Sequence, residues 1–244
     1  MKSLECPSTA ILDGDIIAYR AALLADTADD TFIPAILEEM LEFWLPIEAN
    51  DFQMALSCSR KDNFRREIWP NYKKNRESKH EPDLLKEVKD YIRDVYNCLE
   101  AKRIEADDIM GIYAEESIAV TIDKDLRGVP GWHYNPFKED FPTYVSKDEA
   151  EEFFCIQWMT GDSTDCIPGL WRVGPKRAKS FLKKWGECDR HEKIIELYCE
   201  DRYQPKDSCD LEGEELALVM ARCVRILSAG CYDNQTEEIS LWNP

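Results

Sequence analysis

Three short β-rich apolar runs, residues 9–13 (Thr-Ala-Ile-Leu-Asp), 52–57 and 118–123, each pass directly into polar residues or a carboxylate. This ending constrains the fold more than any other feature of the chain. A strand that is apolar nearly throughout is buried on both faces, as in a parallel sheet covered by helices. Ligands of open α/β sheets collect at the carboxyl edge of such strands. The pattern therefore predicts three strands aiming acids, Asp13 and Asp123 among them, at one rim. Helical patterns lie between the strands. Ile36, Leu37, Met40, Leu41 and Trp44 share one face before Pro46 stops the helix, and an apolar stripe from Leu84 to Leu99 follows Pro82. The aromatics of that stripe have core spacing, not that of a base-stacking surface.

After residue 146 the strand signals vanish. Ser146 and Glu149 read as a capping box, Lys176 to Trp185 as a short basic helix, and Glu214 to Ala229 as a longer helix closed by Gly230 in a left-handed cap. The expected organisation is an α/β core over residues 1–145 with a mostly parallel sheet flanked by helices, then a helical module over 146–244. No apolar run reaches the roughly 20 residues that cross a bilayer, and the N-terminus lacks a signal-peptide pattern, so a cytoplasmic protein is expected. The ten cysteines form no CxxC pair and His80, His133 and His191 show no zinc-ligand spacing, which argues against structural zinc and for reduced, packed thiols.

Nine acids fall in five clusters: Asp13; Asp62; Glu105, Asp107 and Asp108; Asp123 and Asp125; Asp162 and Asp165. If they converge they cannot all remain ionised without cations, and hard oxygen donors select Mg²⁺ or Mn²⁺. Glu105 and Asp108 would share a helix face, Asp123 and Asp125 would lie on one side of an extended backbone, and one helical turn would direct Asp162 and Asp165 inward. Taken singly, each cluster has an ordinary explanation as a helix start or a turn.

The net charge of −18 opposes a nucleic-acid partner on average, but the average hides two basic islands. Residues 60–79 carry eight basic side chains against three acids, and residues 172–184 carry six against none. The second island follows Gly169-Leu170-Trp171-Arg172-Val173-Gly174-Pro175. There the glycines permit a tight turn, Pro175 suits a first helical position, and free amides followed by lysines make a phosphate cradle. Contacts of that kind read the backbone of a duplex, not its bases.

The stretches Leu12-Asp13-Gly14-Asp15, Phe64-Arg65, Pro70-Asn71-Tyr72-Lys73 with Asn75-Arg76, Glu105-Ala106-Asp107-Asp108, Thr121-Ile122-Asp123-Lys124-Asp125, and Gly161-Asp162 through Lys176-Arg177-Ala178 resemble, in order and spacing, the flap endonuclease and phage 5′→3′ exonuclease family. The resemblance spans residues 11 to about 185 and implies a PIN-like core with a helix–hairpin–helix module. It implies that Asp13, Asp62, Glu105 and Asp107 hold the catalytic metal. Asp108, Asp123, Asp125, Asp162 and Asp165 would hold or support a second, and Lys73 and Arg76 would steer the scissile phosphate. Arg65, Lys74, Gly169, Val173, Gly174, Lys176, Arg177 and Lys179 would contact DNA, and the turn from Gly169 to Lys176 would bind K⁺ through its carbonyls.

The implied activity is cleavage of DNA at 5′ ends, flaps or branches, or of RNA–DNA hybrids, by a monomer that works with a replication partner and is closer to self-standing phage enzymes than to polymerase-fused domains. Two features depart from the family. The span from Lys73 to Glu105 is shorter than the threading arch of larger members, and the acidity outside the islands is unusual. The rival readings are a PIN-type single-strand ribonuclease, which has no use for the hairpin, and a non-catalytic structure-specific DNA-binding protein, which has no use for the acids.

Overall fold

A computed structural model describes residues 5–27, 32–77, 80–186, 189–206 and 210–244; Lys79, the last member of the first basic island, lies outside them. The chain divides into two compact units. The first comprises residues 1–63, 80–146 and 226–239, and the second comprises 64–79, 147–225 and 240–244. A single cut at 145/146 thus misses two segments: residues 64–79 join the second unit and 226–239 return to the first.

The first unit is built on a six-stranded sheet of order β3-β2-β1-β4-β5-β6. Its strands are β1 (Thr9–Asp13), β2 (Asp51–Leu56), β3 (Cys98–Glu100), β4 (Ile118–Val120), β5 (Gly131–Tyr134) and β6 (Thr143–Val145). All neighbours pair in parallel except β5 with β6. The central strands β1, β2 and β4 supply Ala10, Leu12, Met54, Leu56, Ile118 and Val120 to a core sealed by helices α1 (Gly14–Asp26), α2 (Ile33–Trp44) and α4 (Leu85–Val95). From β1 the chain builds β2 and β3 on one side and then returns to place β4 on the other. The boundary between β1 and β4 is therefore the switch point at which an open α/β sheet leaves a crevice beyond its carboxyl ends. Helix α5 (Ala106–Ile112) carries the third acid cluster.

Two expectations in this unit change. The apolar stripe beginning at Leu84 leaves the helix at Tyr96, whose backbone is extended, and Leu99 belongs to β3. Asp123 does not lie on an extended strand with Asp125: it caps a 3₁₀ turn over Lys124–Gly128.

The second unit packs α3 (Phe64–Ile68), α6 (Lys147–Thr160), α7 (Pro175–Trp185), α8 (Arg190–Cys199) and α9 (Gly213–Val224) around Trp69, Tyr72, Phe154, Trp158, Tyr198 and Met220. It is not purely helical. Residues 161–162 (β7) and 167–168 (β8) form an antiparallel hairpin, so Asp162 sits on a strand and Asp165 in its turn instead of on one helical turn. A Cβ on Gly161 would stand 2.3 Å from the Gly169 nitrogen, and one on Gly169 would stand 2.1 Å from the Thr160 carbonyl carbon, so the chain crosses itself where only two glycines fit. Helix α9 ends at Val224 instead of Ala229; Gly230 is left-handed, but it lies beyond an extended Arg225 and does not cap the helix. No helix among the described residues is long and apolar enough to cross a membrane.

Candidate metal centre

In the first unit, the end of β1 presents Asp13 at the switch point with only 3% of its surface exposed. Its Oδ1 accepts the Ile16 amide at 3.1 Å, capping α1, and its Oδ2 accepts the Thr121 hydroxyl at 2.9 Å. Thr121 Oγ1 in turn accepts the Asp123 amide at 3.0 Å, and Asp123 Oδ1 accepts the Asp125 amide at 2.9 Å. Hydrogen bonds thus carry the acids after β4 to the acid that ends β1. Gly14 is required here because a Cβ would meet the Ala55 carbonyl oxygen at 2.7 Å, so α1 can start directly against β2.

Asp15, the second acid of the Leu12-Asp13-Gly14-Asp15 stretch, is part of the same group. Its Oδ2 accepts the Ser57 amide at 3.2 Å, and its Oδ1 pairs with Lys89 Nζ of α4 at 2.6 Å. Ser57 Oγ accepts the Ala106 amide at 2.9 Å, which fixes the start of α5 beside the ends of β1 and β2. That start brings Glu105 and Asp107, both half-buried, to the same rim. Asp108 is fully buried: its Oδ2 accepts the Glu105 amide at 3.1 Å, the return bond of a capping box, and its Oδ1 accepts the Leu227 amide at 3.0 Å. Both oxygens are committed to backbone, which makes Asp108 a support for α5. Asp62 lies exposed on a short 3₁₀ turn.

The electrostatics bind these acids together. Burial raises Asp13 to about 7, the charges of Asp15 and Asp123 push in the same direction, and the Ile16 and Thr121 hydrogen bonds offset only part of the rise. Burial likewise lifts the Cys58 thiol to about 12, with the charges of Glu105, Asp62 and Asp108 adding to it. Asp62 and Glu105 therefore share one field, and Asp13, Asp15 and Asp123 share another, joined through Ser57 and Asp15. All-oxygen donors around a buried carboxyl held up by its neighbours fit hard divalent cations, whose charge removes the repulsion.

In the second unit, Asp165 lies among basic residues. Its Oδ1 accepts Arg76 Nη2 at 2.6 Å, its Oδ2 lies 3.6 Å from Lys73 Nζ, and the Tyr72 hydroxyl donates to Oδ2 at 3.3 Å. Hydrogen bonds from the Lys73 amide to the Asp165 carbonyl, from Trp69 Nε1 to the Cys166 carbonyl and from Asn75 Nδ2 to the Thr164 carbonyl clamp the 69–76 segment onto the β7–β8 turn. Asp162 Oδ1 accepts the Thr164 amide at 2.7 Å and shapes that turn. The sequence motif put Lys73 and Arg76 beside a phosphate; in the structure they neutralise a carboxylate 89 residues or more away in the chain.

The DNA-contact set separates by exposure. Lys74, Gly174, Lys176, Arg177 and Lys179 are exposed, and Arg177 also donates to the Tyr203 hydroxyl at 2.9 Å. Val173 is buried in the core, leaving only its backbone for a ligand, and Gly169 is held by the chain crossing. A Cβ on Gly174 would meet nothing, so tightness does not explain that glycine. Arg65 requires correction: it is 3% exposed, with Nε on the Cys223 carbonyl and Nη2 on the Arg225 carbonyl, both at 2.9 Å. It caps the C-terminal end of α9 and has no surface to offer DNA.

Comparison with known proteins gives a consistent relationship. The family model for the 5′-3′ exonuclease N-terminal resolvase-like domain matches residues 8–138. A DNA polymerase I of Rhizobium leguminosarum is 34% identical over 146 residues, covering 52% of this chain but 14% of the polymerase. A 5′-3′ exonuclease of Mycoplasma pneumoniae is 26% identical over 212 residues, covering 73% of this chain and 72% of that protein. Among solved structures, the T5 5′-exonuclease with bound zinc ions superposes with a TM-score of 0.63 at 17% identity, over 88% of this chain and 89% of that one. At that identity the likeness is one of fold.

Proposed function

The chain belongs to the 5′-3′ exonuclease family, and on that premise we propose that it is a divalent-metal-dependent nuclease that hydrolyses phosphodiester bonds of DNA at 5′ ends, flaps or branches. The observation that carries this reading is the Asp13 carboxyl at the β1–β4 switch point, which burial first and then the charges of Asp15 and Asp123 raise to about 7, and which Thr121 links to the acids after β4. Asp13, Asp123, Asp125, Glu105 and Asp107 would hold Mg²⁺ or Mn²⁺, with Asp62 as a further ligand. Such ions would supply an activated water and stabilise the leaving oxygen.

The residues of this chain supply the rest. Thr121 and the Ile16 amide orient Asp13, leaving its charge to respond to a cation. Lys89 pairs with Asp15 beside it, and Ser57 holds the first turn of α5 at the rim. Asp162 and Asp165 retain a proposed role in binding a second cation. Lys73 and Arg76 would exchange Asp165 for a backbone phosphate, trading one charge-assisted partner for another. Lys176, Arg177 and Lys179 would grip duplex backbone beyond the turn at Gly169–Gly174, where K⁺ could be held by carbonyls.

The test is digestion with Mg²⁺ of a 5′-flap, a blunt duplex, an RNA–DNA hybrid and a single-stranded RNA, each labelled at either end. The reading expects 5′-end-dependent products from the DNA substrates and their loss in Asp123→Asn. Cleavage of the RNA alone would replace the reading with that of a single-strand ribonuclease.

A further inference from the structure

Glu151, Cys155 and His191 of the second unit bring one carboxylate, one thiol and one imidazole within 4.8 Å of one another. Glu151 and Cys155 lie one turn apart on α6, and His191 stands in the first turn of α8, which packs on α6. Glu151 Oε1 is the meeting point: His191 Nε2 lies 2.6 Å from it and Cys155 Sγ 3.8 Å from it. Its other oxygen, Oε2, faces Arg225 Nη1 at 3.5 Å. Rotation of the imidazole is restricted by Phe154, Trp158 and Trp242, whose rings lie 6.3, 6.1 and 5.1 Å away centre to centre. Glu151 and His191 line a cavity of about 860 Å³ shared with Asp148, Glu192 and Cys199, which opens the cluster to ions from solution.

We propose that Glu151, Cys155 and His191 form a site for a thiophilic transition-metal dication of the Zn²⁺ class, which clips α6 to α8. The donor set is the mixed sulfur, nitrogen and oxygen set that such ions take in tetrahedral sites and that Mg²⁺ does not. Tetrahedral coordination at ordinary zinc bond lengths places donor atoms about 3.4–3.7 Å apart. The Glu151–Cys155 separation already matches, and the His191–Glu151 pair must open by less than the width of a bond. Arg225 acts as the outer partner that aims Oε1 inward. Binding releases the Cys155 thiol proton and the proton shared between His191 and Glu151 to solvent, with no change of oxidation state. An ordinary His–Glu–Arg ion pair would account for His191 and Arg225 but gives no role to a buried thiol directed at the same oxygen. Linear spacing could not reveal the site, because its histidine and cysteine come from different helices.

The experiment titrates Co²⁺ into the metal-stripped full chain with millimolar Mg²⁺ present to occupy hard-oxygen sites. A thiolate-to-cobalt charge-transfer band should saturate at one equivalent and disappear on adding Zn²⁺. Cys155→Ser should abolish the band, and His191→Gln should weaken Co²⁺ binding at least about tenfold, with far-ultraviolet circular dichroism unchanged. Zn²⁺ should raise the wild-type Tm but not that of His191→Gln. Absence of the band, or a band that survives in Cys155→Ser, overturns the site; an effect on Cys155→Ser with none on His191→Gln does so too. Asp13→Asn should retain the cobalt band, so failure of the nuclease reading and failure of this one are separable.

Discussion

Asp13 is poised to titrate at neutral pH, because burial and the charges of Asp15 and Asp123 raise it to about 7. An unfolded aspartate titrates near pH ~3.9. Between those values the folded chain binds a proton that the unfolded chain has released. The associated stability is present in full below the unfolded value and is lost as pH rises through the folded one. Asp13→Asn removes that loss. The variant should gain on wild type by on the order of a few kcal/mol as pH moves from about 5 to about 8 without divalent ions, read as the difference between their denaturation midpoints. Adding Mg²⁺ should close the gap by stabilising only the wild type. A constant difference across that range would show that Asp13 is not strained by its neighbours. Asp15 carries the converse lesson about legibility: it was visible two residues after Asp13, but nothing in the sequence announced Lys89 or Ser57 as its partners, since both come from distant elements.

At the scale of elements, Arg65 and Gly111 show how the two units recruit discontinuous segments. Arg65→Met leaves the Cys223 and Arg225 carbonyls at the end of α9 without their buried donor, at a cost of about 2–3 kcal/mol. Chemical denaturation should record that loss, while DNA affinity per folded molecule stays within error; a large affinity loss at unchanged stability would return Arg65 to the DNA surface. Gly111→Ala drives a Cβ to 2.3 Å from the Leu227 carbonyl oxygen, so the 226–239 segment must move. The expected cost is about 1–3 kcal/mol, with new protease sensitivity confined to that segment.

β1, β2 and β4 are legible in the sequence because each is a β-rich, largely apolar run that passes into polar residues or a carboxylate. β3 was hidden because Leu99 extends the helical period of α4, and β5 because Gly-Trp-His-Tyr contains no aliphatic run. The β7–β8 hairpin is too short for any period to register, and its existence depends on the Gly161–Gly169 crossing. Arg65 looks solvated in sequence, as a basic residue in a basic island does until its tertiary partners, the Cys223 and Arg225 carbonyls, are known.

Across the whole molecule, charge is divided by unit. Residues 64–77 of the first basic island and all of the second, about a hundred residues apart in the chain, belong to the same compact unit and contribute Trp69, Tyr72, Ala178 and Leu182 to one core. The acids of the β1–β4 rim belong to the other unit. That division explains how a chain of net charge −18 can bear a phosphate-binding surface. Lys176→Glu with Lys179→Glu should weaken duplex binding and lower the slope of log affinity against log salt by roughly two, without altering Mg²⁺ affinity. An unchanged slope would place the duplex elsewhere.

The most direct test compares Mg²⁺-dependent cleavage of a 5′-labelled flap duplex by wild type, Asp13→Asn and Asp123→Asn at saturating DNA. If these carboxylates hold the cations, both variants bind the duplex within about twofold of wild type and cut it at least about a hundredfold more slowly. Cleavage by both variants at the wild-type rate would contradict the account.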